Sequence, residues 1–120
     1  MRYDLKKQLR SFRYAFQGLR TTFLKEQNLS FHYIAALVVI ILGFVCHLKG
    51  WEWAAVLVAI ALVISLELVN TAIEQIVDMV SPERRKEAGR IKDIAAGAVL
   101  FSALCAAGIG LVVFLPHLIG

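Results

Sequence analysis

Cysteine, proline and the loop motifs of soluble catalysis are all scarce in this chain. Its two cysteines, Cys46 and Cys105, lie inside apolar runs with no matching Cys or His ligand spacing. That excludes a disulfide framework or a Cys/His metal centre, and reads as two small buried hydrophobes. The two prolines, Pro82 and Pro116, fall only where apolar runs end. No Walker A loop, glycine-rich kinase loop, HExxH or GxSxG occurs, and Gly108-Ile-Gly110 has no strand before it to make a dinucleotide fingerprint. Acidic residues number 9 against 13 basic ones, a net charge of +4. The excess is placed as a membrane protein places it, so nucleic acid is not the expected partner. Seven basic residues (Arg2, Lys6, Lys7, Arg10, Arg13, Arg20, Lys25) precede the first apolar run and five (Arg84, Arg85, Lys86, Arg90, Lys92) separate the second from the third.

What is abundant is apolar residues, 59% of the chain against roughly 45–50% in soluble domains, with mean hydropathy +0.71. We expect one domain, residues 1–120, of an all-α integral membrane protein: three transmembrane helices behind an amphipathic surface helix. The basic loops put the N-terminus in the cytoplasm and the C-terminus outside, in a multi-pass protein of the plasma (inner) membrane. The first apolar run begins only at Phe31, behind a charged segment and with no small-residue cleavage site after it, so a removable signal peptide is not expected. Residues 1–30 carry Leu5, Leu9, Phe12, Phe16, Leu19 and Phe23 at spacings of three and four among basic residues. This predicts a surface helix in the cytoplasmic interface, with a bend at Gly18. Spans follow at about 31–48, 53–78 and 94–115, with Lys49-Gly50 as a tight turn and Trp51 and Trp53 as an outer aromatic belt. Ser81 and Pro82 are expected to break the second helix or to cap a short surface one. The small residues of the third span, from Ala95 to Gly110, predict close packing against other helices.

Within the second span, Glu67, Asn70, Thr71, Glu74 and Asp78 share one stripe at 3.6 residues per turn. Glu67 falls about 21 Å below Trp53, inside a hydrocarbon core of about 30 Å. Ionisable groups at that depth face a bundle interior or wet cavity and usually act there. A helix simply leaving the bilayer explains Asp78 but not Glu67. Three thin helices cannot easily bury such a stripe alone, so a small oligomer is expected. Hard carboxylates can hold Mg²⁺ on phosphate oxygens, and a carboxylate in a low-dielectric setting can take a proton from an alcohol. On that logic Glu67 is the base candidate and Glu74 and Glu26 are the metal candidates. Lys92 could supply charge to a phosphate, and Asp93 a second carboxylate to the site. Two other readings compete: a membrane scaffold whose charges are incidental, and a transporter or proton relay. The relay does not explain carboxylates stepping outward to a basic rim.

Glu67-Leu-Val-Asn-Thr-Ala-Ile-Glu-Gln-Ile-Val-Asp78, followed by Gly89-Arg-Ile-Lys-Asp-Ile-Ala-Ala-Gly-Ala-Val-Leu100, closely resembles the small bacterial membrane lipid kinases of the diacylglycerol kinase/undecaprenol kinase family. The resemblance covers nearly the whole chain, including Gly18-Leu-Arg20 and Glu26. It implies a homotrimer using ATP and Mg²⁺ to phosphorylate a membrane lipid alcohol. By that pattern Glu67 corresponds to the general base. Asn70, Lys92 and Asp93 correspond to active-site polar residues, and Glu26 and Glu74 to ligands of the nucleotide-bound metal. Lys7 falls where the diacylglycerol branch has a basic nucleotide contact, with Arg10 close by as the other candidate. Ala15 and Ala96 stand where that branch has serines. Glu26-x-Asn28-x-x-x-His32 is similar to the undecaprenol branch, which makes undecaprenol the expected substrate and diacylglycerol the alternative.

Overall fold

The computed structural model describes residues 4–83 and 85–120; Arg2 and Arg84, counted above among the basic residues, lie outside them. Four helices account for nearly all of these residues: α1 (Leu5–Lys25), α2 (Gln27–Val45), α3 (Gly50–Val80) and α4 (Lys86–Ile119). The last three are long and apolar enough to cross a membrane. At 1.5 Å per residue, α3 and α4 run about 46 and 51 Å, well beyond a hydrocarbon core.

α1 starts where Asp4 accepts a hydrogen bond from the Lys7 N–H, and it buries none of its residues. Its apolar stripe, Leu5 to Phe16, is left uncovered by the rest of the chain, as a helix lying on a bilayer requires. The bend expected at Gly18 does not occur. The helix passes through it, with Thr22 Oγ1 donating to the Gly18 carbonyl at 2.8 Å, so its hydrogen-bond ladder absorbs the weak propensity. The break comes instead at Glu26, whose extended backbone serves as the last cap of α1 and the first of α2. Ser30 Oγ donates to the Phe23 carbonyl at 2.6 Å and the Phe23 and Tyr33 rings meet at 5.2 Å, fixing this one-residue elbow. The helix that carries the first apolar run therefore extends from Gln27 to Val45.

The end of α2 is set by His47, which takes φ 54°. Leu48 N–H returns to the Gly43 carbonyl and His47 N–H to that of Phe44, a Schellman closure built on histidine where glycine is usual. That closure throws the chain directly into α3. Gly43 makes the hairpin close: a Cβ there would sit 2.6 Å from Trp53 Cη2. Trp53 thus packs into the hairpin, against Phe44 at 4.9 Å.

α3 packs along α4 through most of its length, with Leu48, Val56, Val113 and Phe114 as the core. Of the two alternatives for Ser81 and Pro82, the helix break is the one that forms: Ser81 ends α3, and α4 starts at Lys86 after Arg85. Pro116 does not stop the helix, which continues through it to Ile119, where Leu118 and Ile119 prolong the apolar surface. Cys105 is exposed on the uncovered side of α4; Cys46 is partly buried. The small residues of α4 are not points of close approach within one chain, since Gly97, Gly108 and Gly110 have open space where a Cβ would stand. Ala103, Ala106, Ala107 and Gly110 instead line a cleft of about 560 Å³ between α2, α3 and α4.

The radius of gyration is 17.8 Å, against about 14 Å for a globular chain of this length. Leu57, Val58, Phe101 and Leu104 are among many large side chains left uncovered. Such a chain is stable only with lipid, or other copies, against that surface.

Candidate functional site

The helical stripe forms as its spacing predicts. Glu67, Asn70 and Thr71 are 5%, 6% and 7% exposed, Glu74 is half-buried, and Asp78 is open. Val69 and Ile76 point away from the bundle. Polar groups inward and apolar groups outward is the inverse of a soluble helix, as an apolar solvent demands. One inference from sequence is corrected here. The deep half of the stripe is buried by α2 and α4 of its own chain, so burying it does not require an oligomer.

Two contacts organise the stripe. Asn70 Nδ2 donates to Glu74 Oε1 at 3.0 Å, one turn along α3. The Asn70 amide is thereby oriented, and its Oδ1 is left buried without a partner. Leaving a buried acceptor unmade is costly, so Oδ1 is a point where an incoming donor would bind. Deeper in, His32 of α2 places Nε2 3.5 Å from Glu67 Oε2. The sequence had singled out His32 only as a mark of resemblance. Equal counts back and forward from the turn at 46–49 pair His32 with Val63, one helical turn short of Glu67, so spacing alone does not reveal the contact.

The remaining candidates are more dispersed. Lys92 forms an ion pair with Asp78 across the α3–α4 connection, and Asp93 beside it is exposed. Both lie within α4, not in a loop before it. Glu26 is half-buried at the α1–α2 elbow and its side chain makes no cap bond. Lys7 and Arg10 are exposed on α1, and among the described residues no ion pair joins them to the carboxylates. A single chain thus assembles Glu67, Asn70, Glu74 and His32, and leaves the phosphate-facing candidates on its rim.

Among the described residues no three of His, Asp, Glu or Cys form a ready-made metal cage. Mg²⁺ bound with a nucleotide needs only one or two carboxylates, the phosphates and water supplying the rest. An oriented, half-buried Glu74 beside an unpartnered amide oxygen is a hard-oxygen donor set that fits this mode.

Sequence reasoning missed a second buried acid entirely. Glu52, in the first turn of α3, accepts from the Lys49 N–H through Oε1 at 2.9 Å, and its Oε2 lies 2.9 Å from Nε2 of His117 in α4. Glutamate three residues into a helix, reaching back to the cap, was its signal.

Comparison with known proteins covers most of the chain. The model of the prokaryotic diacylglycerol kinase family matches residues 13–114. The chain is 41% identical over 117 residues to the undecaprenol kinase of Bacillus subtilis (strain 168), covering 98% of this chain and 95% of that protein. It is 38% identical to a diacylglycerol kinase of Synechocystis, over 91% of this chain and 63% of that protein. A Haemophilus influenzae diacylglycerol kinase is 35% identical over 84% of this chain and 85% of its own length.

Proposed function

The chain belongs to the prokaryotic diacylglycerol kinase family, and from that premise we propose that it phosphorylates undecaprenol to undecaprenyl phosphate with ATP at the cytoplasmic face of the inner membrane. The observation that carries the reading is the buried stripe: a carboxylate at membrane depth, with an amide and a second carboxylate leading outward from it. A lipid alcohol presents its hydroxyl near the interface while its chain stays in hydrocarbon, and ATP stays in water. A stripe joining those two depths is what such a transfer needs. The apolar cleft of about 560 Å³, with His32 among its lining residues, adds room for an apolar chain beside Glu67.

Each residue then has a task. Glu67 takes the proton of the attacking hydroxyl, in a setting from which water is largely excluded. Asn70 holds Glu74 in one orientation and offers Oδ1 to a donor. Glu74 and Glu26 would hold the magnesium that accompanies the nucleotide, which neutralises charge on the phosphate oxygens. Lys92 and Asp93 serve the phosphate end of the site, Lys92 exchanging its bond to Asp78 for one to phosphate. Lys7 and Arg10, on α1, supply further positive charge to the nucleotide. We place the N-terminus in the cytoplasm, the C-terminus outside, and the working unit as a homotrimer. The uncovered faces of the spans support association, and the basic residues flanking α2 and α4 support the orientation.

Identity to the Bacillus undecaprenol kinase and the Glu26-x-Asn28-x-x-x-His32 pattern favour undecaprenol. The diacylglycerol kinases among the relatives make diacylglycerol the second reading. Radiolabelled transfer from ATP to each lipid, separately and in competition in mixed micelles, tests both. Preference for undecaprenol is expected. Preference for diacylglycerol would make the product phosphatidic acid, and transfer to neither lipid would overturn the kinase reading.

A further inference from the structure

We propose that His32 is the exit for the proton that Glu67 collects, resetting the base after each turnover; the inference rests on the lipid-kinase reading above. Glu67 is enclosed, its side chain 7% exposed, whereas that of His32 is 21% exposed. A proton left on Glu67 would block the next cycle, so it needs a route out of the apolar interior. Nε2 of His32 lies 3.5 Å from Glu67 Oε2, longer than a good hydrogen bond and within the range that tightens when a substrate binds. Imidazole is the side chain suited to exchanging a proton near neutral pH.

The surroundings offer no competing carrier at this depth. Between Asp93 and His117, α4 carries no titratable side chain except Cys105, which is exposed. On α2 itself the neighbour is Tyr33, whose buried hydroxyl has no partner, and Glu26 lies more than a turn away at the elbow. On α3 the next acid is Glu74, bonded to Asn70. His32 also lines the apolar cleft, so its ring stands between the space for the lipid chain and the acid that serves the hydroxyl.

The step balances without another reactant. The alcohol O–H bond breaks as its oxygen bonds the γ-phosphorus. The bond from that phosphorus to the bridging oxygen breaks, and its electron pair leaves on ADP. The proton passes to the Glu67 carboxylate, then to unprotonated Nε2 of His32, and from there to water at the interface end of α2, which starts five residues earlier at Gln27. His32 acts through Glu67 and is a positioning and relay residue. Its protonation stops the relay, so turnover should fail on the acid side.

The experiment is the pH profile of kcat for phosphate transfer to undecaprenol, between about pH 5 and 8, in wild type, His32→Gln and His32→Ala, with Glu67→Gln as control. His32→Gln should lower kcat about 10²-fold, leave KM for MgATP unchanged and abolish the acid limb. Imidazole added to His32→Ala should restore turnover, which a packing role would not allow. A wild-type kcat and acid limb in His32→Gln, or no rescue by imidazole, would overturn the relay alone. A wild type that transfers phosphate to no lipid alcohol would overturn the relay and the kinase reading together. If the His32 variants fail to assemble, nitrogen-15 NMR of histidine-labelled wild type and Glu67→Gln decides. The His32 Nε2 resonance should shift between the two, and an unmoved resonance would overturn the contact.

Discussion

The first turn and the middle of α3 hold the same kind of group, a buried glutamate facing a histidine from a neighbouring helix, and treat it in opposite ways. Glu52 is satisfied on both oxygens, by the Lys49 N–H and by His117, each at 2.9 Å. Glu67, 15 residues and so about 22 Å along the helix, meets His32 only at 3.5 Å. One turn on, Asn70 keeps an unpartnered buried oxygen. A carboxylate whose hydrogen bonds are complete fixes the register of two helices and has nothing left to offer a ligand. A carboxylate in looser company is costly in lipid and persists where something else completes it. Burial alone would not have told these two acids apart; the state of their hydrogen bonds does.

The largest way to break this contrast is Glu67→Gln. It keeps the shape and removes the base, and should lower kcat about 10²–10⁴-fold while leaving assembly and thermal stability near wild type. A smaller loss is expected from Asn70→Ala, which frees Glu74 to turn. About 10–100-fold in Mg²⁺ affinity or activity is typical when the partner of a metal ligand is removed, and a magnesium titration of the rate reads it. At the far end the effects should be on stability. Gly43→Ala drives a Cβ into the Trp53 ring and should cost about 1–3 kcal/mol, as overpacking does. Denaturant titration in micelles would measure that, with kcat of the folded fraction unchanged. Smallest should be Arg85→Ala with Lys86→Ala, at the exposed start of α4. These should alter dependence on anionic lipid, read by varying the micelle composition, more than turnover.

How much was legible in the sequence follows the same contrast. The stripe on α3 could be read because it lies on one helix, where periodicity alone places Glu67, Asn70, Thr71 and Glu74 together. Three spans were legible because hydrocarbon tolerates little else. The contacts between helices were not: His32 with Glu67 and Glu52 with His117 depend on the register of antiparallel helices, which the turn at 46–49 and the connection at 81–85 set. That register rests on His47 in a left-handed conformation and on Gly43 against Trp53, and neither advertises itself by spacing. The helix ends were misplaced for a related reason. Glu26 breaks the chain through backbone geometry and Ser30, while Gly18 and Pro116, the conventional breakers, are overruled by their neighbours.

The most direct test of the account compares the two acids in one assay: phosphate transfer from ATP to undecaprenol by Glu67→Gln and Glu52→Gln, with the thermal midpoint of each in the same micelles. The account predicts that Glu67→Gln is nearly inactive with its midpoint retained, and that Glu52→Gln turns over normally with its midpoint lowered. Normal turnover in Glu67→Gln would contradict it.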